Sequence, residues 1–210
     1  MVKELRLHEL AERVDLSSIL TFRPKAAKMY EYAVEELGAF VCDTIVDCSF
    51  SNIEICDVSF VDQFILNMQL MLKEFENVIL RLSNCNEDVL ANIEGALHVR
   101  NEKEKNKSKL CLLNYNQDGY SILGKPEQNL KDTLAVLQRY KHGLTARELM
   151  EIQDISEINS ASNRLKRLFD ARFVCRRLEV KESGRQHIYY IPENYKALSG
   201  LFNTQGFHAK

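Results

Sequence analysis

Ser160, Ser162, Asn163, Arg164, Lys166 and Arg167 fall within eight residues, and Arg176, Arg177, Lys181, Arg185 and His187 follow within the next twenty. Hydroxyls, an amide and guanidinium groups are the side chains that hydrogen-bond base edges and phosphates, so this density points to double-stranded DNA. Ser160, Asn163 and Arg167 suit base edges. Arg177 and Arg185 suit the backbone or the minor groove, and His187 suits packing or a phosphate. Such contacts require a rigid platform, and the surrounding residues describe one. Leu144 to Leu149 opens a short helix, with Thr145 as N-cap and Glu148 three residues on to complete a capping box. A turn through Gln153-Asp154-Ile155-Ser156 leads to a helix from about Ile158 to Ala171. Its Ala161, Leu165 and Leu168 share one face and leave the polar set outward. Phe173 to Val180 and His187 to Ile191 are β-branched and aromatic runs around a Gly-containing turn, two strands of a hairpin.

The charge is uneven along the chain. Of 28 basic and 30 acidic residues, 14 basic and 9 acidic lie from Asn129 onward, leaving 14 and 21 before it. The C-terminal excess concentrates on the second helix and the hairpin, where phosphate contacts would give a steep salt dependence.

The segments Leu144-Thr145-Ala146-Arg147-Glu148-Leu149, Ser162-Asn163-Arg164-Leu165-Lys166-Arg167-Leu168 and Phe173-Val174-Cys175-Arg176-Arg177 resemble the winged helix-turn-helix family of bacterial transcription factors. The resemblance covers about a third of the chain and implies a DNA-binding unit over residues 129–193, followed by a tail over 194–210.

Residues 1–124 read as a separate α/β unit, ending at a linker marked by Gly124-Lys125-Pro126. Val2 to Val14 has helical spacing in Leu5, Leu7, Leu10 and Val14. Arg23-Pro24 starts a second helix that stops at Gly38. Strands are expected at Thr44–Phe50, Asn77–Leu82 and Leu110–Tyr115, with helices from about Phe60 to Phe75 and from Asn86 to Leu97. Asn101 to Lys109 is rich in charge with nothing apolar and is expected as a solvated loop. Strands alternating with helices predict a sheet layered by helices.

Phe22-Arg23, Ile45-Val46-Asp47-Cys48-Ser49 and Cys56-Asp57-Val58-Ser59-Phe60-Val61-Asp62 resemble the STAS-like family, relatives of the anti-sigma-factor antagonists. That family implies a partner-binding domain whose partner is a histidine-kinase-like ATPase, with a phosphorylatable hydroxyl at a helix start. Ser59 is the candidate switch site. The chain departs from the antagonist pattern, which has consecutive hydroxyl residues and a glycine after its Asp; here Val58-Ser59-Phe60 follow Asp57, and Ser59 reads first as an N-cap.

Catalysis is not expected. Asp43, Asp47, Asp57 and Asp62 cluster in sequence, as caps and turn formers do, and no GxSxG, Walker A, GxGxxG or HExxH motif occurs. The six cysteines form no CxxC, so buried, reduced thiols in a cytoplasmic protein are expected, with no metal or cofactor. No apolar run approaches the roughly 20 residues of a membrane helix, and Met1 to Arg6 is too charged for a signal peptide. The combined expectation is a non-enzymatic transcription regulator whose STAS-like part receives a signal or a protein partner. The competing expectation is a protein-interaction switch that uses its winged helix as another protein contact. Apolar residues in Met1–Leu20 (Leu5, Leu10, Ile19, Leu20) and Tyr195–Phe207 (Leu198, Leu201, Phe202, Phe207) predict a homodimer formed through those segments.

Overall fold

The computed structural model describes residues 1–40, 43–103, 109–181 and 184–192, and of Lys181 the backbone only. The expected tail and its apolar residues, Cys42 and most of the charged loop lie outside the described residues.

β3 (Thr44–Ser49) and β5 (Val78–Ser83) are buried along their whole lengths, as parallel strands covered on both faces must be. They pair with Thr44 opposite Val78 and Ser49 opposite Ser83. β1 (Val2–Arg6) lies parallel to β3, and β6 (Leu112–Asn116) lies parallel to β5. β7 (Gly119–Leu123) turns back antiparallel to β6, completing a five-stranded sheet in the order β1-β3-β5-β6-β7. β2 (Ile19–Leu20) and β4 (Ile55–Cys56) form a separate short parallel pair. The architecture is therefore mixed α/β on a mixed parallel and antiparallel sheet.

The helical reading of Val2–Val14 is corrected. Val2–Arg6 is strand, and the helix α1 (Leu7–Glu12) begins only afterwards. The spacing of Leu5, Leu7 and Leu10 fits a helix, but the outer edge of β3 captures the first residues through five paired positions. Leu5, Leu10 and Leu20 are buried in the chain's own core, so of the four residues expected to serve a dimer there only Ile19 is exposed.

Alternate residues of the sheet point to opposite sides, and each side has its own cover. Leu5, Val46, Cys48, Leu80, Leu82 and Leu112 join the helical layer. That layer contains α1, α2 (Arg23–Leu37), α3 (Val58–Val61), a π-helical turn (Asp62–Leu66), α4 (Asn67–Leu72) and α5 (Glu87–Lys103). Pro24 sits in the first turn of α2, and Gly38 closes it with φ 55°. The opposite side, Ile45, Ile79, Leu113 and Ile122, packs with Leu134, Leu137, Leu165, Phe173 and Val174 of the C-terminal segment.

That segment consists of α6 (Gln128–Leu137), α7 (Ala146–Ile152), α8 (Ile158–Asp170) and a hairpin of β8 (Cys175–Lys181) and β9 (Gly184–Tyr190). Leu144 bridges β9 through two main-chain hydrogen bonds with Tyr189, at 2.8 and 2.9 Å. Polar contacts reinforce the junction with the sheet unit. Asn77 accepts from the Arg176 N–H at 3.0 Å and donates to its carbonyl at 2.9 Å. The Arg172 guanidinium donates to the Lys73 carbonyl at 2.8 Å, and the Tyr190 hydroxyl to Asp43 Oδ1 at 2.6 Å.

Candidate nucleic-acid interface

Thr145 caps α7 as its spacing predicts. Its hydroxyl accepts from the Glu148 N–H at 3.3 Å, and Glu148 accepts from the Thr145 N–H at 2.7 Å. The cap fixes where α7 begins. Ala161, Leu165 and Leu168 are wholly buried, anchoring one face of α8 and presenting the other. Between the start of α7, the first turns of α8 and strand β9 runs an open groove of about 640 Å³, lined by Thr145, Arg147, Asn159, Ser162, Arg185 and His187 among others.

Of the residues singled out from sequence, the fold brings Ser162, Arg185 and His187 together in this groove. Asn163 is exposed, and Ser160 is half-buried. Arg164 donates to Gln153 at 3.3 Å across the turn, and Lys166 pairs with Asp170 one helical turn on, at 2.7 Å.

Arg167 lies elsewhere. Both its terminal nitrogens bind Glu127, at 2.8 and 2.6 Å, and it lines a different cleft, beside Lys125, Pro126 and Phe173. The hydrogen bonds from Arg167 hold the Glu127 carboxyl below its usual range, and Glu127 in turn raises Arg167. Arg176 stacks over Phe169, 4.1 Å from the ring centre, and reaches Glu76 at 3.5 Å. Arg177 donates to the His142 carbonyl at 3.4 Å and lies over the Tyr190 ring. The Lys181 side chain lies outside the described residues.

Arg147 and Asn159 line the groove although sequence reasoning passed over them. The signal was present: a residue in the first turn after a helix cap lies where a phosphate can meet the free N–H groups of the helix start. Among the described residues Arg147 and Arg185 form no ion pair. Glu148 and Glu151 also line the groove, so its charge is mixed. The hairpin adds apolar surface there: Leu178 pairs across from His187 and Val180 from Arg185, and both are more than half exposed.

Ser59 is not the helix cap expected from sequence. Asp57 is the N-cap, accepting from the Phe60 N–H at 2.6 Å, and the Ser59 hydroxyl donates to the same carboxylate oxygen at 2.7 Å. The helix starts two residues earlier than the spacing predicted, because a carboxylate at Asp57 satisfies the first free N–H groups better than a hydroxyl further on.

Five of the six cysteines are described and all are free: Cys48, Cys56 and Cys175 buried, Cys85 and Cys111 partly so. Burial raises the Cys56 thiol to about 12 and the Cys111 thiol to about 11. Among the described residues no helix is long and apolar enough to cross a membrane. No protein-family model, curated protein or solved structure matches the chain.

Proposed function

We propose that the chain is a DNA-binding regulator whose C-terminal segment is a winged helix-turn-helix and whose sheet unit is a STAS-like input module. The observation that carries this reading is the groove. It is bounded by a capped helix start, a polar helix face and a hairpin strand, the three elements that a winged helix lays against a duplex. Asn159, Ser162 and Asn163 on α8 would read base edges, while Arg147, Arg185 and His187 would hold phosphates on either side. Lys166 would contribute through its exposed position. Arg167 and Arg176, engaged with Glu127 and Glu76, would steady the unit. The STAS-like reading of residues 1–124 rests on the parallel strands β3 and β5 and on the Asp57-capped helix start beside Ser59. A homodimer would double the reading helices on a two-fold site, and the cytoplasm is the compartment where such a protein with free thiols would work.

A second reading is a protein-interaction switch, favoured by Leu178 and Val180 on the hairpin. The two separate in an electrophoretic shift with duplex DNA from the protein's own upstream region at two salt concentrations. The DNA reading expects a shifted complex that weakens steeply as salt rises. No complex at low salt would reject it in favour of the protein contact.

A further inference from the structure

Away from that groove, Asp47 and Arg81 face each other across β3 and β5, with Arg81 Nη2 2.8 Å from Asp47 Oδ2 and both side chains about nine-tenths buried. They occupy the same side of the sheet as Ile45 and Ile79, beyond the part that the C-terminal segment covers. The Arg81 guanidinium lies over Tyr115, 4.6 Å from the ring centre, and reaches the Tyr120 hydroxyl at 3.3 Å. This pair lines a cleft of about 520 Å³ at the carboxyl ends of β5 and β6, with Ser83, Asn84, Asn114 and Asn116 in its walls. Open α/β sheets take their ligands at that end of the strands, and the volume is within the range of small-molecule sites.

Four buried polar atoms of the lining residues hold no hydrogen bond: Asp47 Oδ1, Ser83 Oγ, Asn114 Oδ1 and Arg81 Nε. Native interiors match such atoms with protein, water or ligand. Two of the four are acceptors, one is a hydroxyl and one is a donor, so they call for a molecule that donates along one edge and accepts beside it. The single acid and single base cancel, and no lysine lines the cleft, so nothing there favours a phosphate. The amides of Asn84 and Asn116 can donate and accept along a second edge. We infer that this cleft binds a small uncharged ligand through an amino group carried on a flat ring, the chemistry of an amino-bearing nucleobase. The amino group donates to Asp47 Oδ1 and Asn114 Oδ1, and Ser83 Oγ matches a neighbouring ring nitrogen.

Isothermal titration of the full chain with guanosine, adenosine, inosine and guanosine monophosphate tests this. Guanosine or adenosine is expected to bind, with inosine, which has no amino group, weaker by at least about tenfold, and with no gain from the phosphate. Ser83→Ala and Asn114→Ala are each expected to weaken binding several-fold while a thermal melt shows that they stay folded. Equal binding of inosine, tighter binding of the phosphate form, or unchanged affinity in both variants would overturn the assignment. So would the lack of any heat up to about 1 mM nucleoside, the weak end of specific affinity, which would leave the four atoms to water.

Discussion

The arginines at the junction and those at the groove carry the same charge in different settings. Arg167 is forked onto Glu127, Arg172 is tied to the Lys73 carbonyl, and Arg176 lies on Phe169 beside Glu76. Arg147 and Arg185 line the groove with no ion pair among the described residues. A count of basic residues treats all five alike. The fold divides them: Arg172 and Arg176 tie the C-terminal segment to the sheet unit, Arg167 is held by the Glu127 cap of α6, and Arg147 and Arg185 line the groove. The positive excess after Asn129 therefore overstates the field that a duplex would meet, because part of it is cancelled by acids about 40 and 100 residues earlier.

If the junction is structural, damage there should appear as lost stability. The largest effect is expected at Asn77, which holds both main-chain groups of Arg176 and itself has φ 56°. Asn77→Ala should cost about 3 kcal/mol in urea unfolding, through two stranded main-chain groups and a left-handed backbone that alanine disfavours. A loss below about 0.5 kcal/mol, the usual range of a surface change, would mean that the two units are not held together there.

Tyr190 sharpens the same point through pH. Burial, and then its hydrogen bond to Asp43, push the hydroxyl well above the ordinary tyrosine range. The folded state thus keeps a proton that the unfolded chain releases near pH 10. Its contribution should be complete below pH 10 and decline as pH climbs beyond it. Tyr190→Phe should cost about 2 kcal/mol at neutral pH and lose part of the alkaline decline, which denaturation at a series of pH values would measure. An identical alkaline slope in the variant would assign the decline to other groups, the buried thiols first.

On the groove side the stability effects should be smaller. Thr145→Ala removes the cap of α7 and should cost about 1 kcal/mol, visible as a shifted urea midpoint with an unchanged slope. Arg147→Ala and Arg185→Ala should fall within about 0.5 kcal/mol of the parent.

Much of the C-terminal architecture was legible because its signals are local. The capping box needs only Thr145 and Glu148, and the buried stripe of α8 needs only helical spacing among Ala161, Leu165 and Leu168. The strands β3 and β5 announced themselves as short apolar runs. Elements defined by a partner were harder to see. β1 exists because β3 offers an edge, and five residues are too few for period alone to separate strand from helix. β7 went unread although Asp118-Gly119 is a hairpin signal; the turn itself is Gln117-Asp118, with Gly119 already paired to Asn116. α6 drew no separate expectation within the unit expected over 129–193, yet Leu130, Leu134 and Leu137 are buried against the sheet side. The same limit applies to the candidate site. Residue type identified Ser162, Arg185 and His187, but the division between Arg167 and Arg147 depends on Glu127 and on the direction of each helix.

The central claim is that the groove, and not the junction, contacts DNA. Fluorescence anisotropy of a labelled duplex, titrated with the parent chain and with Arg147→Ala, Arg185→Ala and Arg167→Ala at two salt concentrations, tests it most directly. The account predicts that Arg147→Ala and Arg185→Ala each weaken binding several-fold and lower the salt slope by about one, while Arg167→Ala leaves both close to the parent values. Groove variants that bind like the parent, or a loss confined to Arg167→Ala, would contradict it.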